Sequence, residues 1–169
     1  MPKCVPEVTP RGRVDAALAL SALAAIGGVA AALVSQHVYD LRPCPWCVLQ
    51  RLIFLALAGA ALLALAWRSP MGCRAGIGLA ALMSLAGFSA ALWQHFVAAA
   101  SASCNMTFAD RVIGATGLDR ALPQVFAAYA SCAEAQAKLL GVPYEFWSAA
   151  LFAGLGVGML VVWLTMARE

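Results

Sequence analysis

Four long runs of the sequence are apolar without alternation, and the polar residues are concentrated between them. A bilayer core about 30 Å thick needs roughly 20 apolar residues in a helix. Ala16 to Tyr39 carries no formal charge and is long enough to cross with some tilt. Trp46 to Trp67 is long enough only if Arg51 is drawn within its first turns, because Leu52 to Trp67 alone is short. Ala75 to Val97 has no formal charge at neutral pH, with His95 near its end, and Phe146 to Ala167 is the fourth run. The period-two alternation of a membrane β-barrel is missing. The pattern predicts an all-α membrane protein. It is a four-transmembrane-helix bundle in up-down order, with spans 16–39, 46–67, 75–97 and 146–167, and one domain covers residues 1–169. A short loop (40–46) and a long one (98–145) then share one side of the membrane. The long loop is broken by Gly114, Gly117 and Pro123 and closed by Pro143, with room for a short surface helix between Pro123 and Leu140. Gly27, Gly28, Gly76, Gly78, Gly154 and Gly158 read as positions where helix backbones approach closely.

Composition narrows the class. Of 169 residues 63% are hydrophobic and only 11% charged, with a mean hydropathy of +0.84. A soluble domain carries roughly 25% charged residues, so disorder, a nucleic-acid module and an ordinary soluble enzyme are excluded. A net charge of +3 gives no acidic polymer as partner; the expected surroundings are lipid, around a monomer. The basic residues also orient the chain. Lys3, Arg11, Arg13, Arg68, Arg74 and Arg168 crowd the short segments on the terminal side, whereas Arg42, Arg51, Arg111, Arg120 and Lys138 are spread over longer stretches. Basic density therefore sets both termini in the cytoplasm and both loops outside. A signal peptide with Lys3, Arg11 and Arg13 as its basic region is the alternative for the first span. Its apolar run exceeds the about 7–15 residues of such a segment, which favours retention.

That orientation sorts the six cysteines. Cys4 and Cys73 fall inside, where thiols stay reduced. Cys44, Cys47, Cys104 and Cys132 fall outside, where disulfides persist, and four cysteines allow three connectivities. Cys44-Pro45-Trp46-Cys47 is a C-x-x-C at the start of the second span. Proline suits the first helical position, which sets Cys44 near an N-cap where the helix dipole favours a thiolate. Cys104 and Cys132 are compatible with a structural staple worth about 3–4 kcal/mol or with a second exchanging dithiol. A single four-thiolate zinc site lacks a second C-x-x-C or a nearby histidine, so no metal is expected.

Arg51 follows Cys47 by four residues, on the same helix face. A guanidinium at the membrane boundary is either functional or snorkels to the headgroups. A C-x-x-C and an arginine at this depth face the pool of lipid-soluble quinones. Arg51 is suited to stabilise a thiolate at Cys47 and charge on a quinone oxygen, and His95 to donate a hydrogen bond or proton to the same ring.

C-P-W-C-x-x-x-R at residues 44–51, Cys104 and Cys132 in the second outer loop, P-Q-V-F at Pro123–Phe126 and four spans together resemble the DsbB (disulfide bond formation protein B) family over essentially the whole chain. The resemblance implies a thiol–quinone oxidoreductase of the bacterial inner membrane that reoxidises a periplasmic DsbA-type thioredoxin-fold oxidase. It implies that Cys104 is attacked by the reduced partner and that Cys132 is its pair and passes electrons to Cys44. Cys47 would form the charge-transfer contact with ubiquinone, supported by Arg51, and His95 would match a histidine beside the quinone. Ubiquinone is the implied cofactor, with menaquinone the anaerobic substitute. One departure is Gln50, where the family pattern leads one to expect an acidic residue. Rival readings are a vitamin K epoxide reductase-like enzyme, whose C-x-x-C is expected late in the chain, and an outward-directed disulfide reductase, which would need redox cysteines on both faces. A non-enzymatic membrane protein with two structural disulfides is the third.

Overall fold

A computed structural model of the chain describes residues 10–67, 69–100 and 106–166. Cys4, Lys3, Arg68, Arg168 and the site candidate Cys104 lie outside the described residues. Four helices are long and apolar enough to cross a membrane: α1 (Pro10–Val38), α2 (Pro45–Ala66), α3 (Pro70–Trp93), which continues as a π-helical turn over Gln94–Ala98, and α7 (Tyr144–Met166). The long connection carries α4 (Phe108–Thr116), α5 (Leu118–Ala121), α6 (Pro123–Phe126) and a two-residue β-ladder, β1 (Lys138–Leu139) with β2 (Val142–Pro143).

Each long helix packs against the next in sequence, and α1 meets α7 to close the bundle. The starts follow from local chemistry. Cys44 caps α2 and Ser69 caps α3, each with proline in the first turn, where the missing N–H is not needed. The Ser69 cap, whose Oγ accepts from Gly72 N at 3.0 Å, begins the third helix at Pro70. Arg74, expected in the short segment before the third span, is therefore helical.

The bundle core is built from Leu18, Ala25, Leu57, Ile77, Met159 and a stacked pair, Phe54 on Phe152, with ring centroids 3.7 Å apart. Gly76 and Gly87 permit this packing. A Cβ on Gly76 would fall 2.3 Å from Ala64 Cβ, and one on Gly87 2.2 Å from the Phe152 ring. Gly28 is similarly tight, 2.8 Å from Leu151. The close-approach expectation does not hold for Gly27, Gly154 and Gly158, which have nothing within 4 Å. They lie on parts of α1 and α7 that no neighbouring helix covers. Large apolar residues such as Leu20, Leu63, Leu82, Leu85 and Leu160 are exposed on the bundle's outside, as lipid-facing helices require.

A second apolar cluster sits over the start of α2. Trp46, Val48 and Leu49 pack there with Ala109 and Ile113 of α4 and with Phe126. The surface helix is thus α4, not the 123–140 segment. Its ends are fixed by a Thr107–Asp110 capping box and by Gly117 at φ 68°, a left-handed cap that glycine adopts without strain. Only one turn, α6, forms after Pro123. The chain then runs irregularly to a tight hairpin whose corner, Leu140 (φ 55°) and Gly141 (φ 82°), has both residues left-handed, as a type I′ turn demands.

Candidate functional site: a thiol cluster above a buried arginine

Cys44 and Cys47 bracket the first turn of α2, with their Sγ atoms 3.0 Å apart. The Cys47 backbone N–H points at Cys44 Sγ at 3.4 Å, the ordinary geometry of an N-cap acceptor with sulfur in place of oxygen. Cys44 is fully buried.

Cys132, 88 positions after Cys44 by subtraction of residue numbers, is brought to the same place. The Tyr129 and Ala130 N–H groups donate to Pro43 O at 2.9 and 3.3 Å, tying the long loop to the short one. A turn with reciprocal Ser131–Glu134 hydrogen bonds at 2.9 and 3.3 Å then encloses Cys132. There Cys132 packs against the buried cluster that holds Cys44, with Cys47 beside it. Interaction with Cys44 holds the Cys132 thiol below its ordinary range. Interaction with Cys132, contact with Cys47 and burial together push the Cys44 thiol up. The cluster thus favours the thiolate at Cys132 over Cys44.

Arg51 does not snorkel. It is buried, and its guanidinium donates to Gln36 Oε1 at 2.6 Å, to Val125 O at 2.9 Å and to Ala32 O at 3.4 Å. It therefore pins α1 and α6 to α2. Its Nε is buried without a partner, so the group keeps donor capacity. Gln36 is shared, because its Nε2 donates to Gln124 O at 3.2 Å.

Gln50 stands beside Arg51 in the chain but pairs elsewhere. Its Nε2 donates to Gln94 Oε1 at 2.7 Å, and Gln94 Nε2 in turn donates to Cys47 Sγ at 3.2 Å. The π-helical turn begins at Gln94, closed by Ala99 N–H to Gln94 O at 2.9 Å. Such wide turns recur at functional sites, and here the turn starts on the amide that meets the sulfur.

Below the thiols lies a cavity of about 250 Å³ lined by Cys47, Arg51, Gln94, Phe54, Trp147 and Leu151 among others. His95 is not among its walls. Its Nδ1 lies 2.6 Å from Glu145 Oε1, and its ring packs between Phe96 and Phe146. The structure therefore gathers Cys44, Cys47, Cys132 and Arg51 and sets His95 one residue further out. Gln36, Gln94 and Glu145 were not singled out from the sequence. The signal was there: polar side chains near the ends of apolar spans are functional candidates by default. Among the described residues, no group of three or more His, Cys, Asp or Glu forms a metal-binding cluster.

Four membrane-length helices carrying a C-x-x-C, a third thiol against it and a buried arginine define a membrane thiol–disulfide protein. The comparisons make this specific. The family model of Disulfide bond formation protein DsbB matches residues 14–162. Proteins named Disulfide bond formation protein B are similar to this chain in Verminephrobacter eiseniae (36% identity over 86% of this chain and 83% of the relative). The same holds in Polaromonas naphthalenivorans (34%, over 90% and 92%) and Herminiimonas arsenicoxydans (33%, over 82% and 88%). The chain belongs to the DsbB family, as a multi-pass disulfide oxidoreductase that acts in disulfide bond formation.

Proposed function

We propose that the protein reoxidises a periplasmic DsbA-type dithiol oxidase and passes the electrons to membrane quinone from the inner membrane, with its thiol end outward. The observation that carries this reading is the packing of Cys132 into the cluster of Cys44 and Cys47, beside a cavity lined by Cys47 and Arg51.

In this reading a thiolate of the reduced partner attacks Cys104, breaks a Cys104–Cys132 disulfide and leaves Cys132 as thiolate. Its lowered pKa, set by interaction with Cys44, suits it as leaving group and next nucleophile. The Cys132 thiolate attacks Cys44 Sγ of an oxidised Cys44–Cys47 pair, forms a Cys44–Cys132 bond and expels Cys47 as thiolate. Gln94 Nε2, 3.2 Å from Cys47 Sγ, stabilises that charge, with Gln94 oriented by Gln50. The fixed positive charge of Arg51, four residues on, acts in the same sense.

The cavity fits a quinone ring. Phe54 and Leu151 offer apolar walls, and the unpartnered Arg51 Nε lacks an acceptor of the kind a ring carbonyl supplies. A bound quinone would supply a two-electron, two-proton acceptor, which Arg51 and Gln94 would hold while Phe54 would exclude water.

The test is anaerobic quinone reduction by the purified full-length protein with a reduced thioredoxin-fold dithiol as donor. Turnover with ubiquinone or menaquinone is expected, and none with either defeats the proposal. Arg51→Met should raise the quinone KM severalfold, and unchanged kinetics would remove Arg51 from the binding site.

A further inference from the structure

Arg51 and Glu145 are the two buried charged residues among those described, and both line the cavity beside Cys47. Glu145 lies in the first turn of α7, where the helix dipole favours a carboxylate. It also has a second face. A separate outer cavity of about 420 Å³ is lined by Glu145, His95, Gln136 and Lys138. Glu145 is thus a shared wall, with the thiol cavity on one side and this vestibule on the other. His95, whose side chain is 30% exposed, touches it at 2.6 Å from the vestibule side.

Resting on the thiol–quinone reading above, we propose that Glu145 and His95 form a proton relay that connects the vestibule to the cavity beside Cys47. The stoichiometry calls for one. In net terms the Cys44 thiol and the Cys47 thiolate lose two electrons and one proton and close as a disulfide, and a quinone would gain two electrons and two protons. Cys47 acts as thiolate and no longer holds its proton, so a proton must reach the ring from elsewhere. Glu145 takes up a proton from His95 and hands it on into the cavity. The proton on His95 Nδ1 passes to Glu145 Oε1, and water in the vestibule reloads the imidazole. A carboxyl in hydrogen-bond contact with an imidazole, 2.6 Å away, is a route for proton transfer. His95 therefore acts through Glu145, not by touching the ring itself.

The titratable and charged groups around the pair are few. α2 contributes Cys47 and Arg51, β1 contributes Lys138, and α7 itself contributes Tyr144, whose hydroxyl donates to Ser35 Oγ at 3.2 Å. α1 adds Ser35 and no ionisable side chain to the cavity wall.

The test uses the full chain with dithiothreitol as reductant and ubiquinone-1 as acceptor across a pH series. It compares the wild type with Glu145→Gln, Glu145→Asp and His95→Gln. Glu145→Gln should lower kcat by about tenfold or more with little change in KM, and lose most at high pH, where protons are scarce. Glu145→Asp should restore much of the rate. A purely structural role would instead raise KM and lower thermal stability without changing the pH profile. An independent readout is infrared pH titration of the quinone-free protein. A carboxyl C=O band should titrate, vanish in Glu145→Gln and move in His95→Gln. Identical kcat and pH profile in Glu145→Gln, or a band indifferent to His95→Gln, overturns the relay. Failure of the wild type to reduce any quinone overturns the thiol–quinone reading and the relay with it, a result distinct from active variants that match an active wild type.

Discussion

At the scale of single residues, the site works by hydrogen bonds to sulfur. Interaction with Cys44 stabilises the Cys132 thiolate and depresses its pKa. A depressed pKa means the thiolate persists to lower pH and is lost only as pH falls through the lowered value. In a Cys104→Ser background, which frees Cys132 from any bond to that residue, iodoacetamide labelling of Cys132 should therefore begin below the ordinary thiol range. Adding Cys44→Ala removes that interaction and should shift the labelling profile to higher pH. Mass-spectrometric quantification of the labelled peptide reads this, and an unmoved profile would mean that Cys44 does not stabilise the thiolate. Cys47 has a different partner, Gln94, held by Gln50. Gln50, where the family pattern suggests an acid, thus joins a neutral amide chain aimed at Cys47 Sγ.

At the scale of elements, two devices set the geometry. One is the start of α2, where the C-x-x-C serves as both N-cap and redox pair. The other is close contact of α2 with α3 at Gly76. A methyl there meets Ala64 Cβ at 2.3 Å and the Ala60 carbonyl oxygen at 3.2 Å, and backbone cannot yield as a side chain can. Gly76→Ala should cost about 1–3 kcal/mol, the usual penalty of overpacking. Gly154→Ala, with nothing within 4 Å, should be neutral or slightly stabilising through helix propensity. Thermal denaturation of the two variants in detergent checks the contrast, and equal midpoints would mean that α2 and α3 are not in tight contact. α4 belongs to the same scale: its buried Ala109 and Ile113 roof Trp46, with Trp46 6.4 Å from Phe108 and 6.3 Å from Trp93 between ring centroids.

At the scale of the whole molecule, chemistry is segregated to one end. Cys44, Cys47 and Cys132 lie at the start of α2, whereas Cys73 packs on the bundle core near the opposite end, in the early turns of α3. Replacing Cys4 and Cys73 together with alanine should leave turnover intact, and its loss would show that the sorting of thiols is wrong. Cys104→Ser should abolish oxidation of the protein partner while direct reduction of quinone by dithiothreitol continues. Normal partner turnover by that variant would defeat the proposed order of exchange. Both are read by following quinone absorbance with the two donors in parallel.

The four spans and the all-α class were legible in the sequence, and the C-x-x-C with Arg51 stood out there, because each is a local property. A continuous apolar run must satisfy its backbone hydrogen bonds within itself in lipid, and proline after Cys44 opens a helix wherever the chain goes. Most of the other features depended on contacts between residues far apart in sequence. Nothing local says that Pro43 will receive the Tyr129 and Ala130 N–H groups and so bring Cys132 to Cys44. Nothing local says that Arg51 will find Gln36, Ala32 and Val125 in place of headgroups, or that Gly76 is crowded while Gly154 faces open space. The surface helix was expected after Pro123 but formed at Phe108–Thr116, where a capping box and apolar partners on α2 stabilise it. The sequence by itself determined that a C-x-x-C would sit at the start of an apolar span, four residues before a positive charge. Only the tertiary structure decided which thiol meets which, and that Glu145 stands between the cavity and His95, because burial and pairing are properties of packed surfaces.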